Sequence, residues 1–580
     1  MSSRLVYLET FGCQMNELDS ELVAGQLHAL GYRFTTSADD AHVVLYNTCS
    51  VREHAEQKVW SRLGELAQRK ASEPNLVVGV LGCLAERDGV DLVKRMPVVD
   101  VLVGPGELDK LPNLLDNALR TRESLSADPA PEDPNARKGL TSAREIALQG
   151  GSSRRSTTLA AAADSLELLD LSRSVSPLDP SDQPSKSAYV RITRGCNKFC
   201  TYCVVPFTRG AEIHRPPQHI IDECKMLADR GVIEITLLGQ TVNHYRFEHA
   251  AAVTVGGITQ PQKGRSFTGG HRRDPFAGEQ TTTFADLLAR IHDEVPAIQR
   301  LRFVTSYPRD FGDDVLEVIR DHPRICRYLH VPAQSGSDRI LKLMNRGYTV
   351  SEYLEFVDRV RHFLHQPEIA RPVGISSDFI IGFPTETDED FEATASLIRR
   401  ARFKNSFIFK YSPRPGTVAF DKLEDDVPDN VKRDRNTKLL ALQNEVSDQV
   451  AREYVGHTLR VFVEGPSKKH QSQTRAREQQ THHHNHSHHG TVSLTVSARP
   501  TPADDAACQS ACSTASISPE PTQDHAEPST IQYCARSDTD MIVFFDAPSP
   551  QAGAPDLTHT FAEVHIDRVR ALSLFGTRNP

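Results

Sequence analysis

Three short apolar runs open the chain at regular intervals: Leu5-Val6-Tyr7-Leu8, Val43-Val44-Leu45-Tyr46 and Val77-Val78-Gly79-Val80-Leu81-Gly82. They lie about 35 residues apart, the length of one strand–helix–strand unit. Helical periodicity fills the gaps, from Glu17 to Leu30 and from Arg52 to Lys70, where Val59, Leu63 and Leu66 recur on one stripe. Alternating strands and helices predict a parallel sheet. Residues 4–120 therefore read as a Rossmann-like α/β domain.

The same alternation returns over residues 187–452. Candidate strands are Ala188–Thr193, Ile233–Leu238, Leu301–Thr305, Tyr328–Val331, Gly374–Ile381 and Asn405–Tyr411. Six strands with intervening helices predict a partial (β/α)6 barrel, whose chemistry would sit at the strand carboxyl ends. A polar stretch at about 247–281 reads as a surface insertion. Residues 454–577 change to short β patterns around Arg460–Glu464, Met541–Phe545 and Glu563–Ile566, which predict a small all-β barrel.

Two segments break these patterns. Residues 121–186 are rich in Ser, Asp, Arg, Pro and Ala, and such a composition buries too little apolar surface to order itself. They read as a low-complexity linker, with short helical patches near Ala160 to Leu171. A second insertion, about 468–530, splits the C-terminal barrel and carries His482-His483-His484-Asn485-His486-Ser487-His488-His489. A histidine tract can bind metal or can be a solvated, disordered loop, and the loop is the expectation here.

The length of 580 residues allows three or four domains, and the net charge is −9, so no global basic field points to nucleic acid. A local basic cluster does exist at the small barrel: Arg460, Lys468, Lys469, Arg475 and Arg477. The N-terminus lacks the apolar core of a signal peptide, and no apolar run is long enough to span a membrane. A cytoplasmic protein with reduced thiols is the expectation, with no membrane partner.

Reduced thiols give the eleven cysteines their interest. Cys196, Cys200 and Cys203 form a C-x3-C-x2-C triplet directly after a predicted strand. Three thiolates fit a four-iron cluster with one iron left open; a structural zinc turn or chance clustering is the other reading, although no second zinc knuckle lies nearby. Cys13, Cys49 and Cys83 each follow one of the first three apolar runs. Ligands of parallel sheets gather at strand carboxyl ends, so these cysteines are expected to converge as a second three-thiolate site. Three buried core cysteines are the alternative. Cys224, Cys326, Cys508, Cys512 and Cys534 are expected not to be ligands.

Several motifs agree with one family. They are Gly12-Cys13-Gln14-Met15-Asn16, Asn47-Thr48-Cys49-Ser50-Val51-Arg52, Gly82-Cys83-Leu84-Ala85-Glu86 and the triplet with Val204-Val205-Pro206-Phe207-Thr208-Arg209-Gly210. Further on come Leu237-Leu238-Gly239-Gln240, His330-Val331-Pro332-Ala333-Gln334-Ser335-Gly336-Ser337, Met344-Asn345-Arg346-Gly347-Tyr348-Thr349 and Asp378-Phe379-Ile380-Ile381-Gly382-Phe383-Pro384-Thr385-Glu386-Thr387. The chain resembles the radical S-adenosylmethionine methylthiotransferases, and among them the MiaB-type enzymes acting on tRNA. The resemblance covers residues 4–450 apart from the insertions, and the terminal barrel more loosely.

It implies three modules: an N-terminal methylthiotransferase domain, a radical S-adenosylmethionine barrel and a C-terminal TRAM barrel that contacts RNA. It implies two 4Fe–4S clusters, one on Cys13, Cys49 and Cys83, the other on Cys196, Cys200 and Cys203. The latter cluster would bind S-adenosylmethionine and release a 5′-deoxyadenosyl radical. The former would hold sulfur that a second S-adenosylmethionine methylates. The implied reaction is methylthiolation of position 2 of N6-isopentenyladenosine at tRNA position 37, with a reducing electron donor and a sulfur source as further partners. The family rivals act on N6-threonylcarbamoyladenosine in tRNA or on an aspartate of a ribosomal protein. Gly239 and Gln240 are candidates for contacting the methionine end of S-adenosylmethionine. Gln334, Ser335, Gly382 and Glu386 are candidates for lining its adenosyl pocket, and each is equally a turn former or strand-end cap.

Overall fold

The computed structural model of the protein describes residues 4–50, 53–127, 145–148, 164–173, 186–264, 280–366, 372–472, 530–550, 553–570 and 572–579. These fall into two compact units. The first comprises residues 1–364, 376–397 and 406–439, and the second residues 365–375, 398–405 and 440–580.

The first unit begins with a parallel sheet: β1 (Leu5–Phe11), β2 (Arg33–Phe34), β3 (Val43–Thr48), β4 (Val77–Gly82), β5 (Val101–Val103) and β6 (Glu145–Ala147). The spatial order is β2-β1-β3-β4-β5-β6. Helices α1 (Gln14–Ala29), α2 (Glu53–Ser72), α3 (Cys83–Arg95) and α4 (Leu111–Ala127) connect the strands. Every residue of β3 and β4 is buried, which is why these strands read as unbroken apolar runs rather than alternating ones. Val6, Leu22 and Leu115 belong to the core on one face, Val59, Leu63 and Leu84 to the core on the other.

The polar segment 121–186 departs from the linker reading in its described parts. Its residues 145–147 are β6, paired in parallel with β5. Its residues 165–171 form α5 (Ser165–Leu171), capped by the Asp164 side chain accepting from the Glu167 N–H. Leu166 and Leu169 enter the core beside Leu22 and Leu115. The polar face of α5 is buried too, because it meets arginines. Asp170 pairs with Arg191 at 2.7 Å, Glu167 with Arg215 at 2.9 Å and Asp164 with Arg194 at 2.7 Å. Glu223 holds Arg215 at 2.7 Å and Arg173 at 3.2 Å. The helical patch near Ala160 to Leu171 is this helix, and composition misses its burial because its charges are neutralised by partners distant in sequence. Breaking a buried pair leaves an uncompensated charge, so Asp170→Ala is expected to destabilise the first unit by about 3 kcal/mol. Urea denaturation with an unchanged slope would register it, and a loss under about 0.5 kcal/mol would contradict it.

Six parallel strands follow: β7 (Ser187–Arg191), β10 (Glu234–Leu238), β11 (Arg300–Phe303), β12 (Tyr328–His330), β13 (Gly374–Ile381) and β14 (Asn405–Lys410). Between β7 and β10 lie β8 (Thr193–Arg194), α6 (Val205–Thr208), β9 (Ile213–His214) and α7 (Pro217–Asp229). The strands form two groups, β11-β10-β7 and β12-β13-β14, with a parallel bridge from Leu301 to Ile325 beside the seam. This is the expected partial barrel. The insertion at about 247–281 is pinned at its base: Arg246–Glu248 pairs with Thr281–Thr283, and Gln262–Lys263 pairs with β9.

The second unit contains a closed barrel of β15 (Thr458–Pro466), β16 (Thr530–Ser537), β17 (Ile542–Pro548), β18 (Phe561–Arg570) and β19 (Ser573–Arg578), in the order β15-β16-β17-β19-β18. Val461, Val463, Tyr533, Val543, Val564 and Leu574 are fully buried in it. The sequence reading finds three of its strands and misses β16 and β19. Arg460 of the basic cluster lies over the Phe561 ring, 4.1 Å from its centroid. Arg475, Arg477, the histidine tract, Cys508 and Cys512 lie outside the described residues.

Candidate functional site

The N-terminal cysteines end three neighbouring strands. Cys13 caps α1 directly after β1, Cys49 follows β3 and Cys83 begins α3 directly after β4, and these strands are adjacent in the sheet. The turn into Cys83 requires glycine: Gly82 has φ +91°, and an added Cβ would lie 2.4 Å from the Asn47 side chain. Asn47 and Asn16 lock the floor of the site, the Asn16 amide donating to Asn47 Oδ1 at 3.0 Å and the Asn47 amide to the Asn16 carbonyl at 2.8 Å. A hydrogen bond with Cys49 draws the Cys13 thiol down to about 6; the Arg209 charge and the α1 amides of Asn16 and Met15 add to it, against burial. Burial pushes the Cys83 thiol up, opposed by Arg209 and by the Thr208 hydroxyl.

Cys196, Cys200 and Cys203 lie in the loop between β8 and β9, closed at its base by antiparallel pairs Thr193–His214 and Arg194–Ile213. Gly195, at φ +68°, makes the tight entry; a Cβ there would meet the Ala211 carbonyl at 2.1 Å. Burial raises the Cys196 thiol to about 12, with Glu212 adding to the effect, and burial raises Cys203 as well. Thr241 Oγ1 lies 3.7 Å from Cys196 Sγ. Arg346 Nη1 donates to Cys200 Sγ at 3.3 Å, its guanidinium held against the Tyr307 ring.

All six cysteines are free. A cation stands by each set, Arg209 at one and Arg346 at the other, which suits the net negative charge of a cluster on three thiolates. The residues therefore fit the group.

The two sets meet through α6. Its last residue, Thr208, hydrogen-bonds with Cys83, and the next, Arg209, donates to Asp19 of α1 at 2.8 Å. Asp19 also pairs with Arg191 of β7 at 3.3 Å. Thr208, Arg209, Asp19, Thr241 and Arg346 are absent from the sequence-derived site. Thr208, Arg209 and Arg346 do stand inside the quoted motifs, but that Arg209 meets Asp19 and Arg346 meets Cys200 is a tertiary fact.

The remaining candidates scatter around the barrel. Gly239 and Gln240 follow β10, next to Thr241, and a Cβ on Gly239 would strike Thr193 Oγ1 at 2.1 Å. Gln334 is buried at φ +70° with its Oε1 unpartnered. Ser335 Oγ accepts from the Ser337 N–H at 3.2 Å. Gly382 has φ +65°, and its N–H donates to Glu386 Oε1 at 2.8 Å. The same Glu386 oxygen takes Arg435 Nη1 at 2.8 Å. Glu386 thus serves as a strand-end cap, the alternative left open by the sequence.

His214 sits on β9 at the base of the cysteine loop. Its Nδ1 accepts from the Arg246 N–H at 2.7 Å, and its Nε2 is buried without a partner. Burial holds this imidazole neutral down to about 4, against an ordinary value of 6.5, although Glu212 favours the charged form. The unfolded chain takes the proton first as pH falls, so the stability from neutral His214 is complete above 6.5 and is lost towards about 4. The loss is about 3 kcal/mol for a group this buried. Denaturation of the apoprotein across that window should show it, and His214→Gln should flatten the slope.

A cysteine triplet in the loop after the first strand of a parallel partial barrel defines a radical S-adenosylmethionine enzyme. Residues 190–398 match the family model of the Radical SAM superfamily, and residues 5–104 match the one described as Uncharacterized protein family UPF0004. Among curated relatives, the tRNA-2-methylthio-N(6)-dimethylallyladenosine synthase of Rhodopirellula baltica is 43% identical over 80% of this chain and 85% of its own length. The synthases of the same name from Aeromonas hydrophila and Aquifex aeolicus are 40% and 36% identical, each over 80% of this chain and over 82% and 88% of their own. The chain belongs to this family of radical S-adenosylmethionine methylthiotransferases and is an enzyme. Membership brings one 4Fe–4S cluster and S-adenosylmethionine. Among the described residues, no helix is long and apolar enough to cross a membrane.

Proposed function

We propose that the enzyme replaces the hydrogen at position 2 of N6-isopentenyladenosine, at position 37 of tRNA, with a methylthio group. The observation that carries this reading is the pair of three-cysteine sites joined by α6 within one compact unit. Breaking an unactivated aromatic C–H bond and delivering sulfur to the carbon are separate tasks, which two sites can divide.

The proposal assigns Cys196, Cys200 and Cys203 to one cluster and Cys13, Cys49 and Cys83 to a second. When bound, the first supplies one-electron cleavage of S-adenosylmethionine and the second an iron for sulfur. The chain's own residues bind and orient. Arg346 donates to Cys200 and neutralises charge there. Gly239 and Gln240 are assigned to the methionine end of S-adenosylmethionine, and Gln334, Ser335 and Gly382 to its adenosyl end, with Glu386 shaping the Gly382 turn. An extruded base needs an aromatic platform. Phe407 and Phe409 on β14 are 48% and 42% exposed, and the Phe407 ring lies 6.1 Å from that of His330. Such a surface suits a purine bearing an apolar five-carbon group. An external reductant and a sulfur source complete the reaction.

Anaerobic protein reconstituted with iron and sulfide tests the reading. It is incubated with S-adenosylmethionine, dithionite and tRNA carrying N6-isopentenyladenosine, and the nucleosides are weighed by mass spectrometry. The 2-methylthio product is expected from that tRNA. Methylthiolation of a threonylcarbamoyladenosine substrate instead would move the assignment to the rival nucleoside.

A further inference from the structure

Two helices of the barrel end beside each other on the face away from the cysteine loop. They are α8 (Phe284–Glu294), which precedes β11, and α9 (Asp313–Asp321), which precedes β12. Their carboxyl ends lead into the amino ends of those strands, whereas the cysteine loop follows the carboxyl end of β7, which runs parallel to β10 and β11. His292 stands in the last turn of α8 with Asp293 after it, and His322 is the residue that ends α9. The two imidazole rings meet edge to face, their centroids 4.8 Å apart. One ring nitrogen of each histidine and one carboxylate oxygen of Asp293 all lie within 4.8 Å of one another.

The hydrogen bonds around these three side chains leave nitrogen lone pairs to offer. His322 Nδ1 donates to the Val318 carbonyl at 2.8 Å, so Nε2 is its lone-pair nitrogen. His292 Nδ1 lies 2.8 Å from Asp293 Oδ1, and its Nε2 is buried without a hydrogen-bond partner. Metal-binding histidines typically give their other nitrogen to a backbone carbonyl or a carboxylate, and here one histidine has each. Helix carboxyl ends also favour a cation. Arg324 takes part of that role, donating to the carbonyls of Ile298 at 2.5 Å, Val295 at 3.1 Å and His292. Its charge opposes a second cation nearby, and the Asp293 carboxylate offsets it. Asp293 is exposed and both histidines are half-buried, so an ion reaches them from solvent.

We propose that His292, Asp293 and His322 hold one zinc ion that clips the end of α8 to the end of α9, with water completing the coordination. Imidazole nitrogen and carboxylate oxygen are ordinary zinc donors. The site lies on the amino face of the barrel, where residues serve stability rather than chemistry.

The test uses the full chain, reconstituted anaerobically with iron and sulfide. His482→Asn, His483→Asn, His484→Asn, His486→Asn, His488→Asn and His489→Asn are present in reference and variants alike, so that the histidine tract takes no zinc. Zinc is supplied at chelator-buffered free concentrations, and zinc per chain is measured by elemental analysis after equilibrium dialysis. Hydrogen exchange read by mass spectrometry locates the ion. The reference is expected to bind one zinc that His322→Gln holds about tenfold more weakly or worse. Zinc should slow exchange over residues 284–294 and 313–322 of the reference and leave those segments of His322→Gln unchanged. Asp293→Asn alters an exposed group, is expected to weaken zinc by about tenfold, and decides if His322→Gln does not fold. A reference that binds no more zinc than the variants overturns the proposal. So does zinc binding that leaves exchange in both segments of the reference unchanged.

Discussion

Cys200→Ala protein, reconstituted anaerobically and given S-adenosylmethionine and dithionite, is expected to release 5′-deoxyadenosine only at background and to make no methylthiolated nucleoside. The argument is geometric. Cys200 is buried at the centre of the β8–β9 loop, and its sulfur receives the Arg346 guanidinium at 3.3 Å. A cluster held by three thiolates has no spare ligand, so loss of one removes the reagent that carries the hard chemistry. Iron should fall from about eight to about four per chain if the N-terminal set still loads. Retention of cleavage at more than about a tenth of the wild-type rate would remove Cys200 from the assignment.

Cys49→Ala separates the two sites. Its sulfur lies against Cys13 at the end of β3, remote in sequence from the triplet. The variant is expected to keep S-adenosylmethionine cleavage within about threefold of wild type and to lose methylthiolation entirely. Iron should again fall to about four per chain, now from the other site. The contrast between the variants carries more weight than either alone. If Cys49→Ala abolished cleavage as well, the sites could not be treated as divided in labour. If it left methylthiolation intact, Cys49 would be a core cysteine and nothing more.

What the sequence reveals and conceals follows the range of the interactions involved. The strand-end positions of Cys13, Cys49 and Cys83 are legible because β1, β3 and β4 are local apolar runs, and strand carboxyl ends of a parallel sheet gather on one edge. The six barrel strands are legible for the same reason. Helix α5 is legible as a helical patch but its burial is not, since Glu167 and Asp170 look like linker residues until Arg191 and Arg215 arrive from beyond the segment. β16 is missed because its burial alternates with half-exposed polar residues over Thr530–Ser537. Glu386 illustrates a different limit: a motif names the residue, but only the fold reveals that its carboxylate is occupied by the Gly382 N–H and Arg435. Arg209 stands in plain view beside the triplet, and its pairing with Asp19 of α1 depends on the turn of α6.

That single helical turn works as a ruler. Thr208 follows Cys203 by only five residues, and five residues of chain cannot span more than about 18 Å even when fully extended. Coiling Val205–Thr208 shortens the span further. One residue inserted there would rotate Thr208 and Arg209 by about 100° away from Cys83 and displace them along the axis. The chain has long polar stretches elsewhere, before α5 and between β15 and β16. Between Cys203 and Arg209 the count of residues itself sets how far apart Cys203 and Cys83 can stand.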